Sequence, residues 1–322
     1  MLGQTAAVLA GLSVLAVAVH APGGPLAGGG WRTAVRWAAA GLLLAAQAMW
    51  FERLYLVGHE AAHRKLVPGS GWANDLLGQL VLLPIGFPVT VYRTVHLFHH
   101  AANRRNAHDS ALDVFAVRGP ITRAARVRCH ILWYLGVFAG GFFVHSVASV
   151  VVFLCVPIRY ARRISPAFVH WSTRLRQRSW AQLGGCVGLH AVVLAVAGRG
   201  VYLWVLGYPF LAFAWLWSLL LYAFHFGTTM GPQTRFHVRG VGGGRVVSWL
   251  MLNFTEHPTH HADPRLRWYQ LQQRRRELPP PFAAANRDAS SLWRAAFGQI
   301  AGPTIVSVDG PLPARLFVRW ED

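Results

Sequence analysis

Long stretches without charge constrain this chain more than any other feature. Cys129–Ile158 runs for 30 residues with no Asp, Glu, Lys or Arg. A helix needs about 20 apolar residues to cross a hydrocarbon layer of about 30 Å, and in lipid the backbone must satisfy its own polar groups, which favours helices. Met1–Pro22 is also free of charge. A secretory signal would place basic residues ahead of its apolar run. None is present, so Met1–Pro22 reads as a retained first span, followed by the Gly/Pro-rich loop Pro22–Gly30. A second run covers about 37–58, with Glu52 and Arg53 near its end, where they are expected to snorkel to the interface. Leu76–Tyr92 is broken by Pro84 and Pro88, and Cys129–Ile158 carries Gly140-Gly141 at its middle. The last runs, about 181–198 and 201–224, flank Gly198-Arg199-Gly200, a break that predicts a hairpin.

The remaining charge is sparse and one-signed. Only 13% of the 322 residues are charged, and 31 Lys+Arg against 12 Asp+Glu leave a net +19. An ordinary soluble domain carries about 25% charged residues. A hydrophobic content of 54% excludes a disordered chain, and three cysteines exclude a disulfide scaffold. Nucleic-acid-binding surfaces interleave cations with polar residues. Here the cations stand in blocks between apolar runs, so no nucleic-acid partner is expected.

Those blocks orient the chain. Arg64, Lys65, Arg93, Arg104, Arg105, Arg118, Arg123, Arg126 and Arg128 precede the uncharged run from Cys129. Arg159, Arg162, Arg163, Arg174, Arg176 and Arg178 precede the late hairpin, and Arg235, Arg239, Arg245 and the tail from Arg265 follow it. The positive-inside rule assigns all three blocks to the cytoplasmic side. Leu76–Tyr92 and Cys129–Ile158 must then return to the side they left. The expected fold is an all-α integral membrane domain over 1–322. It has about four transmembrane helices (about 2–20, 37–58, 181–198 and 201–224) and in-plane or hairpin segments at about 76–92 and 129–158. A cytoplasmic helical cap is drawn from 59–128, 159–180 and 225–322.

Sixteen histidines are many for so apolar a chain, and half of them fall into three short clusters. These are His59-Glu60-Ala61-Ala62-His63, His96-Leu97-Phe98-His99-His100 and His257-Pro258-Thr259-His260-His261. Histidines three or four residues apart share a helix face, so each cluster aims at least two imidazoles the same way. Imidazole suits Zn, Cu, Fe and Ni, and eight ligands exceed the needs of one ion, so two metals are expected. His20, His130, His145, His170 and His190 stand alone and read as core residues. The first cluster by itself also fits H-E-x-x-H, the zinc peptidase pattern in which the glutamate is the general base. That pattern gives no use to the two H-x-x-H-H clusters.

The three boxes, in this order relative to the apolar runs, resemble the integral-membrane fatty acid desaturase superfamily, which includes acyl desaturases, hydroxylases and carotenoid ketolases. Asn253 four residues before His257, Pro264 after His261, and Asn103 and Asp109 after the second box are similar to the family too. The resemblance implies a non-haem di-iron site in the cap, with O₂ as co-substrate. Carried over box by box, the implied metal ligands are His59, His63, His96, His99, His100, His257, His260 and His261. His225, near the end of the last span, is a further implied ligand, and His237 and His108 are weaker ones. Some members carry an Asn four residues before that histidine; Leu221 stands there, so the detail does not carry over. Glu60 and Asn253 are implied to support the ligands rather than bind metal. Ala262-Asp263 replaces a bulkier apolar pair, so the substrate channel is expected to differ there.

The activity so implied is an O₂-dependent membrane oxidoreductase, a fatty acyl desaturase acting on a lipid acyl chain. A hydroxylase or ketolase acting on a lipid or carotenoid is the alternative on the same scaffold, and a zinc membrane metallopeptidase using His59-Glu60-Ala61-Ala62-His63 is the distant one. No haem-binding module is visible at either end, so electrons are expected from an external donor such as a ferredoxin. An acidic donor would be steered by a basic face, and anionic lipid headgroups are expected on the same arginines. The expected location is a bacterial inner membrane, with the site facing the cytoplasm.

Overall fold

The first two apolar runs become unbroken helices, Leu2–His20 (α1) and Trp31–Ala62 (α2). A computed structural model describes residues 1–21, 29–107, 111–310 and 313–318. Most of the Pro22–Gly30 loop, His108 and Asp109 therefore lie outside the described residues. Ser70 caps the next helix, Gly71–Leu82 (α3), accepting the Ala73 N–H at 3.1 Å. After a short turn through Pro84 and Pro88 the chain enters Val89–Ala102 (α4), bent 98° from the preceding helix. Arg123–Phe138 (α5) and Gly141–Cys155 (α6) are a second bent pair, at 88°, hinged at Gly140 with φ 80°. A short helix, Ile158–Ile164 (α7), follows.

Thr173–Tyr202 (α8) and Tyr208–Leu220 (α9) complete the apolar helices, joined by one wide π-helical turn. Together they cover 48 residues, about 72 Å if straight and more than twice the hydrocarbon layer. They are not straight. Gly198 sits at φ 80°, ψ 165°, a conformation open to glycine. The chain doubles back there. His190 bonds the Tyr202 hydroxyl at 3.2 Å and lies 5.6 Å from the Phe210 ring, which a straight helix would place about 30 Å away. The fold is thus all-α and integral to a membrane, with helices long and apolar enough to cross it and two bent pairs beside them.

Two compact units divide the chain. The first comprises Met1–Tyr92, Ser149–Ile158 and Trp171–Leu216. Here α2 meets α3 closely, because a Cβ on Gly58 would overlap the Leu82 side chain. Glu52 and Arg53 depart from expectation: both are buried against the protein, only 4% and 1% exposed. The packing of α1 on α2 explains Arg53. Its Nε donates to Thr5 Oγ1 at 3.2 Å, and its guanidinium lies 5.3 Å from the Trp50 ring, a cation–π geometry.

The second unit comprises Arg93–Ala148, Arg159–His170 and Trp217–Asp322. It includes the short helices Gly244–Leu250 (α10) and His257–Ala262 (α11), and a parallel ribbon of Val114–Val117 (β1) and Thr304–Ser307 (β2). Gln299 ties the C-terminal stretch to the end of α9: its carbonyl accepts Trp133 Nε1–H at 2.9 Å and its amide donates to the Leu219 carbonyl at 2.8 Å. Arg104 also departs from expectation. It is no surface cation but fully buried, paired with Asp113 and bonded to the Tyr222 hydroxyl at 3.0 Å and the Thr229 carbonyl at 3.0 Å.

Candidate metal centre

Helical spacing sorts the second box. His96 and His100, four apart on α4, turn to one face and bring their Nε2 atoms to 3.1 Å. His99 points elsewhere. The third box needs a short helix that starts abruptly, and the backbone supplies the start: Leu252 and Asn253 both adopt left-handed φ, at 50° and 56°. Asn253 then accepts the Glu256 N–H at 3.0 Å, and its side-chain amide donates to the Trp268 carbonyl at 3.0 Å. Asn253 therefore shapes the entry to α11 through these bonds. Pro258 occupies the first turn, where its missing N–H costs nothing.

The second unit gathers its histidines into two groups. In one, His260 Nε2 lies 3.0 Å from His100 Nε2, which also faces His96. In the other, His99, His225, His257 and His261 each offer a ring nitrogen within 4.8 Å of the others. His257 Nε2 and His225 Nε2 approach to 3.1 Å. Imidazole–metal bonds of roughly 2.1 Å place neighbouring ligands about 3 Å apart, which is the spacing seen here. Burial, with His99 nearby, pushes the His225 pKa well below the ordinary imidazole value. Burial together with His100, His257, His225 and His99 does the same to His261. Both rings are therefore neutral, with lone pairs to donate.

His225 comes from outside the three boxes. It follows α9 in an irregular turn, and its Nδ1–H donates to the His237 carbonyl at 3.1 Å. A nitrogen facing a carbonyl must carry the proton, so Nε2 is the atom left to bind an ion. His237 is different. Both its ring nitrogens are engaged, Nδ1 with Thr229 Oγ1 at 2.8 Å and Nε2 with the Gly231 carbonyl at 3.0 Å, and burial lowers its pKa to about 4. It serves His225 through its backbone, and spacing alone gave no sign of that role.

The first box ends α2 in the first unit. His59 and His63 lie with ring centroids 4.7 Å apart. Glu60 sits 3.7 Å from His59 Nδ1 and forms a buried ion pair with Lys65 at 2.8 Å. A peptidase base must be free to take a proton from water, whereas this carboxylate is clamped between a lysine and an imidazole. That arrangement leaves Glu60 beside His59 and held by Lys65.

The donor set fits a metal. His261 is 4% exposed, and neither of its ring nitrogens has a hydrogen-bond partner among the described residues. Leaving such a group unsatisfied costs about 1–3 kcal/mol, and a bound ion removes that cost. Three ring centroids, those of His100, His257 and His225, surround it at 4.4, 4.6 and 4.9 Å.

A family model described as fatty acid desaturase matches residues 35–291. The chain belongs to the fatty acid desaturase family. The matched range takes in all three histidine boxes and His225. Among curated members, the sn-1 oleoyl-lipid 12-desaturases of Synechocystis sp. and Anabaena variabilis are 31% identical over 74 residues and 29% identical over 90. Those stretches cover 23% and 26% of this desaturase-family chain, and 21% and 25% of the relatives' own length. The family implies iron, a lipid acyl substrate and oxidoreductase chemistry.

Proposed function

We propose that the protein is an O₂-dependent non-haem di-iron desaturase that introduces a double bond into a lipid acyl chain. The observation that carries this reading is the group His99, His225, His257 and His261, three of them buried, whose ring nitrogens lie within 4.8 Å of one another in a chain of this family. We assign those four to one iron. We assign His96, His100 and His260 to the other, and propose His59 and His63 of the first box as further ligands on the likeness to the family. Imidazole binds iron without the redox liability of thiolate, and eight or more donors exceed one ion's needs.

Bound iron would supply the activation of O₂, which with two electrons from the external donor is the oxidant needed to break unactivated C–H bonds. The chain's own residues supply position and shelter. His225 is kept in one tautomer by the His237 carbonyl, and Glu60 orients His59. The buried box histidines keep bulk water from the reactive centre. Electrons come from an external acidic donor such as a ferredoxin, which the arginine-bearing face attracts; the same arginines bind anionic headgroups. The protein lies in a bacterial inner membrane with this site on the cytoplasmic side, as the cation blocks indicate.

Two measurements test the reading together. Purified protein should hold about two irons per chain, as eight or more imidazole donors require. Gas chromatography of host lipids after expression should show a new double bond. An oxygenated lipid would transfer the assignment to a hydroxylase or ketolase of the same family. Zinc without iron, or unchanged lipids from the iron-loaded protein, would sink it.

A further inference from the structure

We propose that Asn103 is a positioning residue that makes His225 a metal ligand and sets its place relative to His99; this rests on the assignment of His225 to the iron site. Asn103 is 1% exposed and follows the second box by one helical turn, its N–H donating to the His99 carbonyl at 2.7 Å. Its side-chain amide reaches across to a distant stretch of sequence, donating to the His237 carbonyl at 2.9 Å and the Thr234 carbonyl at 3.2 Å. The His237 carbonyl is the same atom that receives the His225 Nδ1–H. One oxygen thus links the helix carrying His99 to the ring of His225, and both histidines belong to one donor group.

The neighbours hold that oxygen still. The Thr228 hydroxyl lies 2.8 Å from the His225 carbonyl and 3.1 Å from the His237 carbonyl. The His237 ring is anchored at both nitrogens, and Asn286, itself buried, accepts the Thr229 N–H at 2.8 Å and donates to the Phe236 carbonyl at 2.9 Å. A carbonyl accepts two good hydrogen bonds along its lone pairs. The Thr228 hydroxyl has one proton and gives it to the nearer His225 carbonyl, so Asn103 takes one lone pair of the His237 carbonyl and His225 the other, and the amide fixes where the imidazole must point. Partners of this kind orient metal-binding histidines, and losing one typically costs 10–100-fold in metal affinity or activity.

The test uses full-length protein in detergent, stripped of metal and titrated with Co(II), whose visible absorption reports each site's ligands. Asn103→Leu should weaken one of two bound Co(II) ions by about 10–100-fold and alter its spectrum. The other ion should be bound as in the wild type, and the metal-free protein should stay folded, its melting temperature lowered only as the loss of two buried hydrogen bonds requires. Asn103→Asp, similar in shape but without the N–H donors, should behave alike. Unchanged Co(II) affinity and spectrum in either folded variant overturns the proposal. Failure of both variants to fold also overturns it, since Asn103 would then be structural. His225→Ala separates the two ideas. If it keeps both ions and their spectra, the assignment of His225 as ligand fails; if it loses one while Asn103→Leu does not, only the role of Asn103 fails.

Discussion

His63 and His225 are held by opposite devices. His63 caps a regular helix, α2, with His59 one turn earlier, so that helical spacing brings the two rings together. His225 lies in an irregular turn beyond α9 and depends on bonds from residues far away in sequence: the His237 carbonyl, Asn103, and the Arg104–Asp113 pair bracing the same loop. Asp113 accepts the Gly227 N–H at 2.7 Å, and Arg104 grips the Thr229 carbonyl. A helix provides ligand spacing from local hydrogen bonds, whereas a loop ligand must be fixed by tertiary ones. Metal binding therefore depends on distant side chains at one place far more than at the other.

The largest effects should hide this difference. His63→Ala and His225→Ala should each lower desaturation by more than about a hundredfold, beyond the range for supporting partners, read as double bonds formed per chain. A His225→Ala protein retaining a tenth of wild-type activity would break the comparison at its root. The next test exposes the difference. Asp113→Ala leaves Arg104 buried and uncompensated, which should cost about 3–5 kcal/mol of stability in chemical unfolding. It should also disturb the His99, His225, His257 and His261 group before the other. A loss below about 1 kcal/mol, the range of an exposed pair, would show that the loop is held by something else.

The same contrast explains what could be read in advance. The three boxes are legible because three- and four-residue spacing on a helix is written directly in sequence. The apolar runs are legible because lipid forces them into helices. His225 is visible only by its place after the last run and by likeness to a family. Arg104 looked like one more cation in a basic block, and nothing local marks it as buried against Asp113. Glu52 and Arg53 misled for a related reason. Charges near a span's end usually reach water, and only the packing of α1 shows that this face is covered. His237, expected as a weaker ligand, has both ring nitrogens engaged and contributes a carbonyl instead, an atom that every residue carries, so sequence could not assign it that role.

A smaller effect probes the helical side. Glu60→Gln keeps the shape but weakens the contact to Lys65 and the orientation of His59. Activity should fall by about 10–100-fold, with iron still bound when it is supplied in excess. Complete loss of function with full metal content would instead mark Glu60 as a proton-transferring base, and would revive the peptidase reading.

The smallest effect belongs to the surface beside the third box. Arg265 is 91% exposed and pairs with Asp263 at 3.2 Å, while Arg276 approaches the same carboxylate at 3.9 Å. Exposed pairs contribute about 0–1 kcal/mol, so Arg265→Ala should leave unfolding almost unchanged, unlike Asp113→Ala. Its consequence should lie in electron delivery. The Arg276 N–H donates to Thr259 Oγ1 at 3.0 Å, between His257 and His260 on α11, so this basic strip is bonded to the helix that bears the third box. An acidic donor docking there should bind more weakly to Arg265→Ala, and added salt should shrink the difference as the charges are screened. Equal donor affinity for variant and wild type at low salt would place the docking surface elsewhere and leave these arginines to the lipid headgroups.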